Sequence, residues 1–444
     1  MRACVIWLTF FSLPLMVISA SSAQEKTIAI KAGEILTISG APINPPDVWR
    51  IKAGIILIQN GKIVDIGTDI AVPQDASVID ASDSVVMPGL VDASATPPVR
   101  GDLNEQSSEI TPALRISTAL DPKSRVLKRI VQTGCTTLYV APGGANLIAG
   151  LGVIIKPAGK TAAEMIIKDD AALKIVMGSD STQGNRIPWY EPPANFYYRR
   201  PTTTMAVAWM LRRSFFDAKQ YITSHEPAPA SPDSPALRLA GKSWGGGKED
   251  PNMEIVAAAL QGKIPIRVAV RRAIDIRTAL RIANEYGLSL ILDECTEGYK
   301  VAEEIAKKNA PVVLGPFYYY PRTSSQYEEG REVNWNNAGI LAKAGVRVAI
   351  ASNAQEGPRF VGTQDESIDL LTAATFAVRH GMAPTDALKA ITLTPAEILG
   401  VADRVGSLEK GKDADILILS GNPLAATSRI KRVILKGETV YQID

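Results

Sequence analysis

The sequence predicts an α/β fold: a (β/α)8 barrel, TIM-like, with a small composite β-sandwich formed by the N- and C-terminal segments. Three observations carry that expectation. The middle of the chain alternates short apolar runs with helical stretches, the pattern of βα units on a parallel sheet. Both ends instead carry only strand and turn signals. The alternation continues for about 300 residues, which suits a barrel with insertions. An open doubly wound sheet is the alternative architecture.

Residues 1–23 stand apart. Arg2 is the only charge, an apolar run over 5–18 follows, and Ser21-Ser22-Ala23 closes the segment. These are the three regions of a secretory signal peptide. The apolar run is shorter than the ~20 residues of a membrane span and contains Pro14. The expectation is an exported protein, periplasmic or extracellular, that begins at Gln24 and has no stable membrane anchor. Cys4 would leave with the signal, and Cys135 and Cys295 do not make a disulfide framework. The 444 residues are 46% hydrophobic and 21% charged, an ordinary globular composition. A formal net charge of +2 gives no argument for nucleic acid.

The first part of the β-sandwich is expected over 24–84, with strands at 27–30, 34–38, 55–59, 62–66 and 77–79. Asn60-Gly61 is a two-residue hairpin signal. The second part is expected over 401–444, with strands at 414–419 and 430–435 and a hairpin exit at Lys436-Gly437. Neither end has enough strands for a stable sheet by itself, so the two are expected to pair. The barrel is expected over 85–400. Its strand candidates are 85–93, 136–140, 264–270, 288–292, 311–314 and 346–351. Its helix candidates are 123–132, 253–260, 275–286, 299–308, 334–344, 368–379 and 384–398.

Two loops are rich in aromatics. One, over 178–204, carries Trp189, Tyr190, Phe196, Tyr197 and Tyr198. The other places Tyr318, Tyr319 and Tyr320 directly after a strand, at the end where parallel barrels bind ligands. They read as a wall for a small organic ligand, or as loops packing their own aromatics or a subunit contact.

The stretch Pro88-Gly89-Leu90-Val91-Asp92-Ala93-Ser94-Ala95-Thr96 resembles the signature of the amidohydrolase superfamily. There a PGL(I/V)DAHxH strand opens the barrel, and its two histidines bind the catalytic metal. Here those positions are Ser94 and Thr96. Three more segments extend the resemblance and place further ligand positions. In 265–276, Ala269 and Arg271 stand where relatives have histidines. In Glu294-Cys295-Thr296-Glu297, Glu294 stands at a histidine. After Val348-Ala349-Ile350-Ala351-Ser352, Asn353 stands at a metal-binding aspartate. The segment 141–161 resembles the imidazolonepropionase-like branch, and the closing segment 383–423 matches the superfamily almost throughout. The resemblance implies the barrel, the composite β-domain, a zinc cofactor and hydrolysis of carbon–nitrogen bonds other than peptides.

The residues argue against that zinc. A hydrolytic site of this kind needs imidazoles and a carboxylate around a Lewis-acid metal. The chain has two histidines. His225 sits in a Pro-rich stretch, and His380 at a helix end before Gly381. No metal ligands are therefore expected. Lys156, after an apolar run, reads as a surface lysine or as a carboxylated strand-end lysine. The partial P-loop at Ala158-Gly159-Lys160-Thr161 lacks its upstream glycine, and no G-x-S-x-G elbow is present.

A polar cluster is expected on the upper face: Asp92, Ser94, Thr96, Arg271, Asp293, Glu294, Glu297 and Asn353. It suits an Arg271–Glu294 ion pair that replaces the metal, or a hard cation, or neither. Three functions follow. The chain binds a ligand or partner without turnover, through Ser94, Thr96, Arg271, Glu294, Asn353, Tyr318 and Tyr319. Or it hydrolyses carbon–nitrogen bonds by an atypical mechanism with Asp293 or Glu294 as base. Or it is a structural subunit, in a homo-oligomer or paired with an intact relative.

Overall fold

A computed structural model describes residues 27–39, 49–105, 107–182, 200–225, 249–315, 332–352 and 369–443. The expected signal segment 1–23 and the aromatics at 189–198 and 318–320 lie outside these residues. Sixteen strands are described. From the N-terminal side come β1 (Thr27–Leu36), β2 (Arg50–Lys52), β3 (Ile55–Gln59), β4 (Lys62–Gly67) and β5 (Ser77–Pro88). Then follow β6 (Leu90–Asp92), β7 (Cys135–Val140), β8 (Ile148–Ile155), β9 (Ile166–Val176), β10 (Ile266–Val270), β11 (Leu290–Glu294), β12 (Val312–Leu314) and β13 (Val348–Ile350). The C-terminal side adds β14 (Ile416–Leu419), β15 (Ile430–Leu435) and β16 (Glu438–Gln442).

The two ends of the chain share one sheet, in the order β16-β15-β14-β5-β1-β3-β4, with β2 also on β1. Asn60 and Gly61 turn the β3–β4 hairpin with φ of 50° and 75°, as a primed turn requires. The sheet folds over: the Ile63 N–H donates to Lys412 O and the Ala414 N–H to Gly61 O. Between the layers lie Ile28, Ile30, Ile56, Ile58, Ile416 and Ile418. Alternate residues of the same strands, among them Met87, Leu417 and Leu419, belong to the barrel's hydrophobic core instead. The expected strands at 27–30 and 34–38 are one strand, kinked where the register shifts between Ala32 and Glu34.

The second sheet runs β6 to β13 in chain order and nearly closes into a barrel. At the seam the Val91 N–H donates to Ile391 O at 3.0 Å. The expected strand over 85–93 is divided at Gly89. Residues up to Pro88 stay in the composite sheet, and Leu90 starts the barrel. A side chain at Gly89 would collide with that of Thr136, so the chain makes its corner where nothing projects. β8 and β9 are absent from the sequence-based strand candidates, and β8 runs antiparallel to both β7 and β9. The physical reason is plain in their composition. β8 is buried at every position and interrupted by Gly150 and Gly152, so it shows no alternation. The first half of β9 carries Lys168, Asp169 and Asp170, which read as a loop.

Strand alternation sorts the barrel. On β10, Ile266, Val268 and Val270 face the outer core, leaving Arg267 and Ala269 toward the lumen. The lumen is filled by Val91, Ala93, Tyr139, Ile154, Ala172, Val313 and Ala349.

Candidate functional site

At the upper ends of β6, β9, β10 and β11, charged side chains replace this apolar filling. Arg267 is fully buried. Its Nη2 donates to Asp293 Oδ1 at 2.7 Å and to Ala93 O at 2.8 Å, and its Nε donates to Asp293 Oδ2 at 3.0 Å. The guanidinium lies 3.9 Å from the centre of the Tyr139 ring, close enough for a cation–π contact. That ring fits because Gly152 has no side chain; a Cβ there would overlap the phenol. The Tyr139 hydroxyl and Arg267 Nη1 find no partner among the described residues. Burial pushes the Tyr139 phenol well above its ordinary range.

Asp92 ties the first strand of the barrel to the last. Its carboxylate accepts the Ser352 hydroxyl, the Ser352 N–H at 3.3 Å and the Ser94 N–H at 3.1 Å. Burial raises its pKa, and these hydrogen bonds offset part of the rise. Ser94 and Thr96 follow β6 and are half-buried.

Arg271, just beyond β10, stands between two carboxylates. Its Nη1 and Nη2 lie 3.0 and 2.5 Å from Asp180, and its Nε lies 2.5 Å from Glu294 Oε2. Glu294 ends β11 with φ of 71°, and Cys295 follows at 44°, two successive non-glycine residues in the left-handed region. Such strain persists only where the surroundings fix it. Here the Cys295 N–H donates to Val270 O, and Asn337 Nδ2 donates to Cys295 O. Glu294 Oε1 has no partner among the described residues. Burial pushes the Glu294 carboxyl up to about 7; Arg271 opposes that rise and Asp180 adds to it.

Lys174 belongs to the same cluster and is absent from the sequence-based candidates. It sits on β9 opposite Arg267 in register, buried, with Nζ donating to Pro142 O at 2.6 Å. Burial brings the amine down to about 8, and Glu294, Asp293 and Asp180 keep it from falling further. The available signal is a lysine inside the apolar run Ala171-Ala172-Leu173-Lys174-Ile175-Val176. Asp180, on a short turn of helix (Asp180–Thr182), has no such signal.

The remaining expectations divide. The structure brings Arg271 and Glu294 together and holds Asp293 on Arg267 instead. Glu297 accepts the Ala273 N–H at 3.0 Å and pairs with Lys300 at 3.1 Å, so it steadies the start of the helix Ala273–Tyr286. Asn353, Tyr318 and Tyr319 lie outside the described residues. Lys156 is not a surface lysine: it is fully buried between Asp415 and Asp413, the latter 3.1 Å away. Because β8 runs downward, its end meets the β-domain rather than the mouth. His225 is the last residue of the helix Thr204–His225, not part of a loop, and stacks on Tyr221 at 3.9 Å. His380 ends the helix Leu370–Arg379 against Phe376 and Trp335.

Zinc is held by thiolate, imidazole and carboxylate at about 2.0–2.3 Å in tetrahedral geometry. Among the described residues no three His, Cys, Asp or Glu side chains come together that way. The positions that the resemblance assigns to metal ligands carry, among the described residues, Ser94, Thr96, Ala269, Arg271 and Glu294, and Arg271 is bound there by Asp180 and Glu294. These side chains do not fit the metal that the resemblance implies.

The amidohydrolase family profile matches residues 274–440. A solved amidohydrolase from Thermotoga maritima MSB8 superposes with a TM-score of 0.79 at 30% identity, over 94% of this chain and all of that one. Amidohydrolase tasK of Hapsidospora irregularis is 24% identical over 88% of this chain, which spans 40% of tasK. The imidazolonepropionase of Desulfotalea psychrophila is 32% identical over 114 residues, 24% of this chain and 26% of that enzyme. With the near-closed barrel, the composite β-domain and a 30% identical structure covered end to end, the chain belongs to the amidohydrolase superfamily.

Proposed function

We propose that this chain is an exported, non-catalytic member of the superfamily that keeps the barrel mouth as a binding site for a small organic ligand. The carrying observation is Arg271 clamped between Asp180 and Glu294. A fixed cation stands at the strand ends where hydrolysis would need a metal-activated water, and without that activation water keeps its high pKa. The test is elemental analysis after metal-free purification, with an amide and lactam screen run with and without chelator. The expected result is no stoichiometric zinc and no chelator-sensitive turnover. About one zinc per chain together with chelator-sensitive hydrolysis would overturn the reading. Export is tested by N-terminal sequencing of secreted material, which should begin at Gln24.

One observation favours a second reading, hydrolysis of carbon–nitrogen bonds without that metal. Glu294, at about 7 and with one oxygen that has no partner among the described residues, has the character of a general base near neutral pH. Asp293 is a poorer base because both its oxygens accept from Arg267. Turnover that is insensitive to chelator and lost in Glu294→Gln would favour this reading.

A further inference from the structure

A cavity of about 560 Å³ opens on the underside of the molecule, where the barrel meets the composite sheet. Thr133 on its wall lies two residues before β7, at the end of that strand away from the mouth. One wall is a face of the helix Leu370–Arg379, along which Thr372, Thr375, Phe376 and Arg379 recur at helical spacing. A second is the turn between β14 and β15, and a third is β16 through Tyr441. Leu371, Phe376, Pro423 and Ile430 give these walls an apolar surface.

The walls are held in place by bonds that do not use the charged side chains. Thr375 Oγ1 donates to Leu424 O at 3.4 Å, which ties the turn to the helix. Within the turn, the Ser420 N–H donates to Arg429 O and the Arg429 N–H to Ser420 Oγ, both at 2.9 Å. The Ser428 hydroxyl donates to Gly421 O at 3.1 Å. Arg379 and Arg429 both line the cavity and are exposed, and among the described residues neither guanidinium has an ion pair or a hydrogen bond. The one acid on the walls is Asp369. It caps the helix, accepting the Leu371 and Thr372 N–H groups and the Thr372 hydroxyl. It stands at the far end of the helix from Arg379, about 15 Å along the axis.

We propose that this cavity is a second binding site, separate from the mouth, for a small mono-anion with an apolar body: a medium-chain carboxylate. The volume lies within the range of roughly 300–1,000 Å³ that organic ligands occupy. The apolar body displaces water from Leu371, Phe376, Pro423 and Ile430. The carboxylate takes the guanidiniums, whose planar donors match it in charge and geometry. A neutral head group forgoes that charge, and a dianion brings its second charge toward Asp369. Because the walls come from a barrel helix and from the composite sheet, a bound ligand also opposes their separation and raises the melting temperature.

Calorimetric titration with octanoate, octanamide and suberate is the test. Octanoate should bind one per chain, and the other two on the order of tenfold more weakly. Added salt should weaken octanoate and leave octanamide unchanged. The double variant Arg379→Gln, Arg429→Gln should melt as the unaltered protein does without ligand. It should bind octanoate about tenfold more weakly or less tightly still, with octanamide unaffected. If that variant does not fold, Ala426→Trp decides: Ala426 is an exposed wall residue, and an indole there should block octanoate. The absence of saturable octanoate binding overturns the proposal. Octanamide or suberate binding as tightly as octanoate overturns the ligand class. Undiminished octanoate binding in the folded double variant, or in Ala426→Trp, places the carboxylate elsewhere and overturns the site.

Discussion

Glu294 concentrates the residue-scale argument, because its carboxyl is buried, half-paired and on strained backbone. Its folded pKa of about 7 lies above its ordinary 4.5. Between those values the folded chain holds a proton that the unfolded chain has lost, so stability falls as pH rises through the window and levels off above 7. Glu294→Gln keeps the shape of the acid form. Its stability relative to the unaltered protein should therefore improve by a few kcal/mol between pH 4.5 and 7, read from denaturant midpoints at each pH. A gap that stays constant with pH would show that Glu294 does not titrate there. Tyr139→Phe removes a buried hydroxyl with no described partner and should be neutral or stabilising by up to about 1 kcal/mol; a loss of several would reveal a partner for it. Part of this site is legible in the sequence. Arg271 and Glu294 stand at motif positions whose scaffold is intact, so their meeting follows from the motif. Asp180 and Lys174 carry no motif, and Arg267 hides in an apolar strand. Only the closure of the barrel shows that these three reach the same mouth.

At the scale of elements, the antiparallel β8 decides how the two sheets are joined. It delivers Lys156 to the underside of the barrel, where Asp415 and Asp413 receive it. Lys62 at 2.6 Å and Arg404 at 2.9 Å complete the shell around Asp413. Lys156→Met leaves Asp415 buried without its cation and should cost about 3–5 kcal/mol, measured by chemical denaturation. A loss under about 1 kcal/mol would mean that the pair contributes little beyond its packing. Burial pushes the Asp413 carboxyl up, but Lys156, Lys62 and Arg404 outweigh it and hold it at about 2. The stability it contributes is present above its ordinary 3.8 and is lost as pH falls through 2. Apart from β9, whose first half is charged, the parallel strands and most helices of the barrel were legible because each carries the pattern of its class. β8 was not, because a strand buried on both faces has no polar alternation to display. The position of Lys156 was lost with it, since the direction of a strand decides which end of the barrel its last residue meets.

For the whole molecule, the question is whether the composite β-domain and the barrel are one folding unit. The chain leaves the composite sheet at Pro88 and enters the barrel at Leu90, with one glycine between. β14 lies beside β5, pairing Leu417 with Met87, and both side chains sit in the barrel's core cluster. The Gly89 N–H donates to Asp415 O, so the corner itself is fixed by the C-terminal segment. Removal of residues 401–444 would strip β14–β16 and expose an edge of β5. It would also open the apolar faces of β1 and β5 and leave Lys156 buried without Asp413 and Asp415. No surviving element can replace those contacts. The intact protein should therefore unfold in a single calorimetric transition whose van't Hoff and calorimetric enthalpies agree, and a chain ending at Gly400 should fail to fold. Two resolved transitions, or a soluble truncated chain with a cooperative melt, would show that the barrel stands alone and that the β-domain is an appendage. The single-unit outcome follows from where the interface groups sit: the barrel's first strand, its one antiparallel strand and the chain's last hairpin all depend on the same buried aspartates.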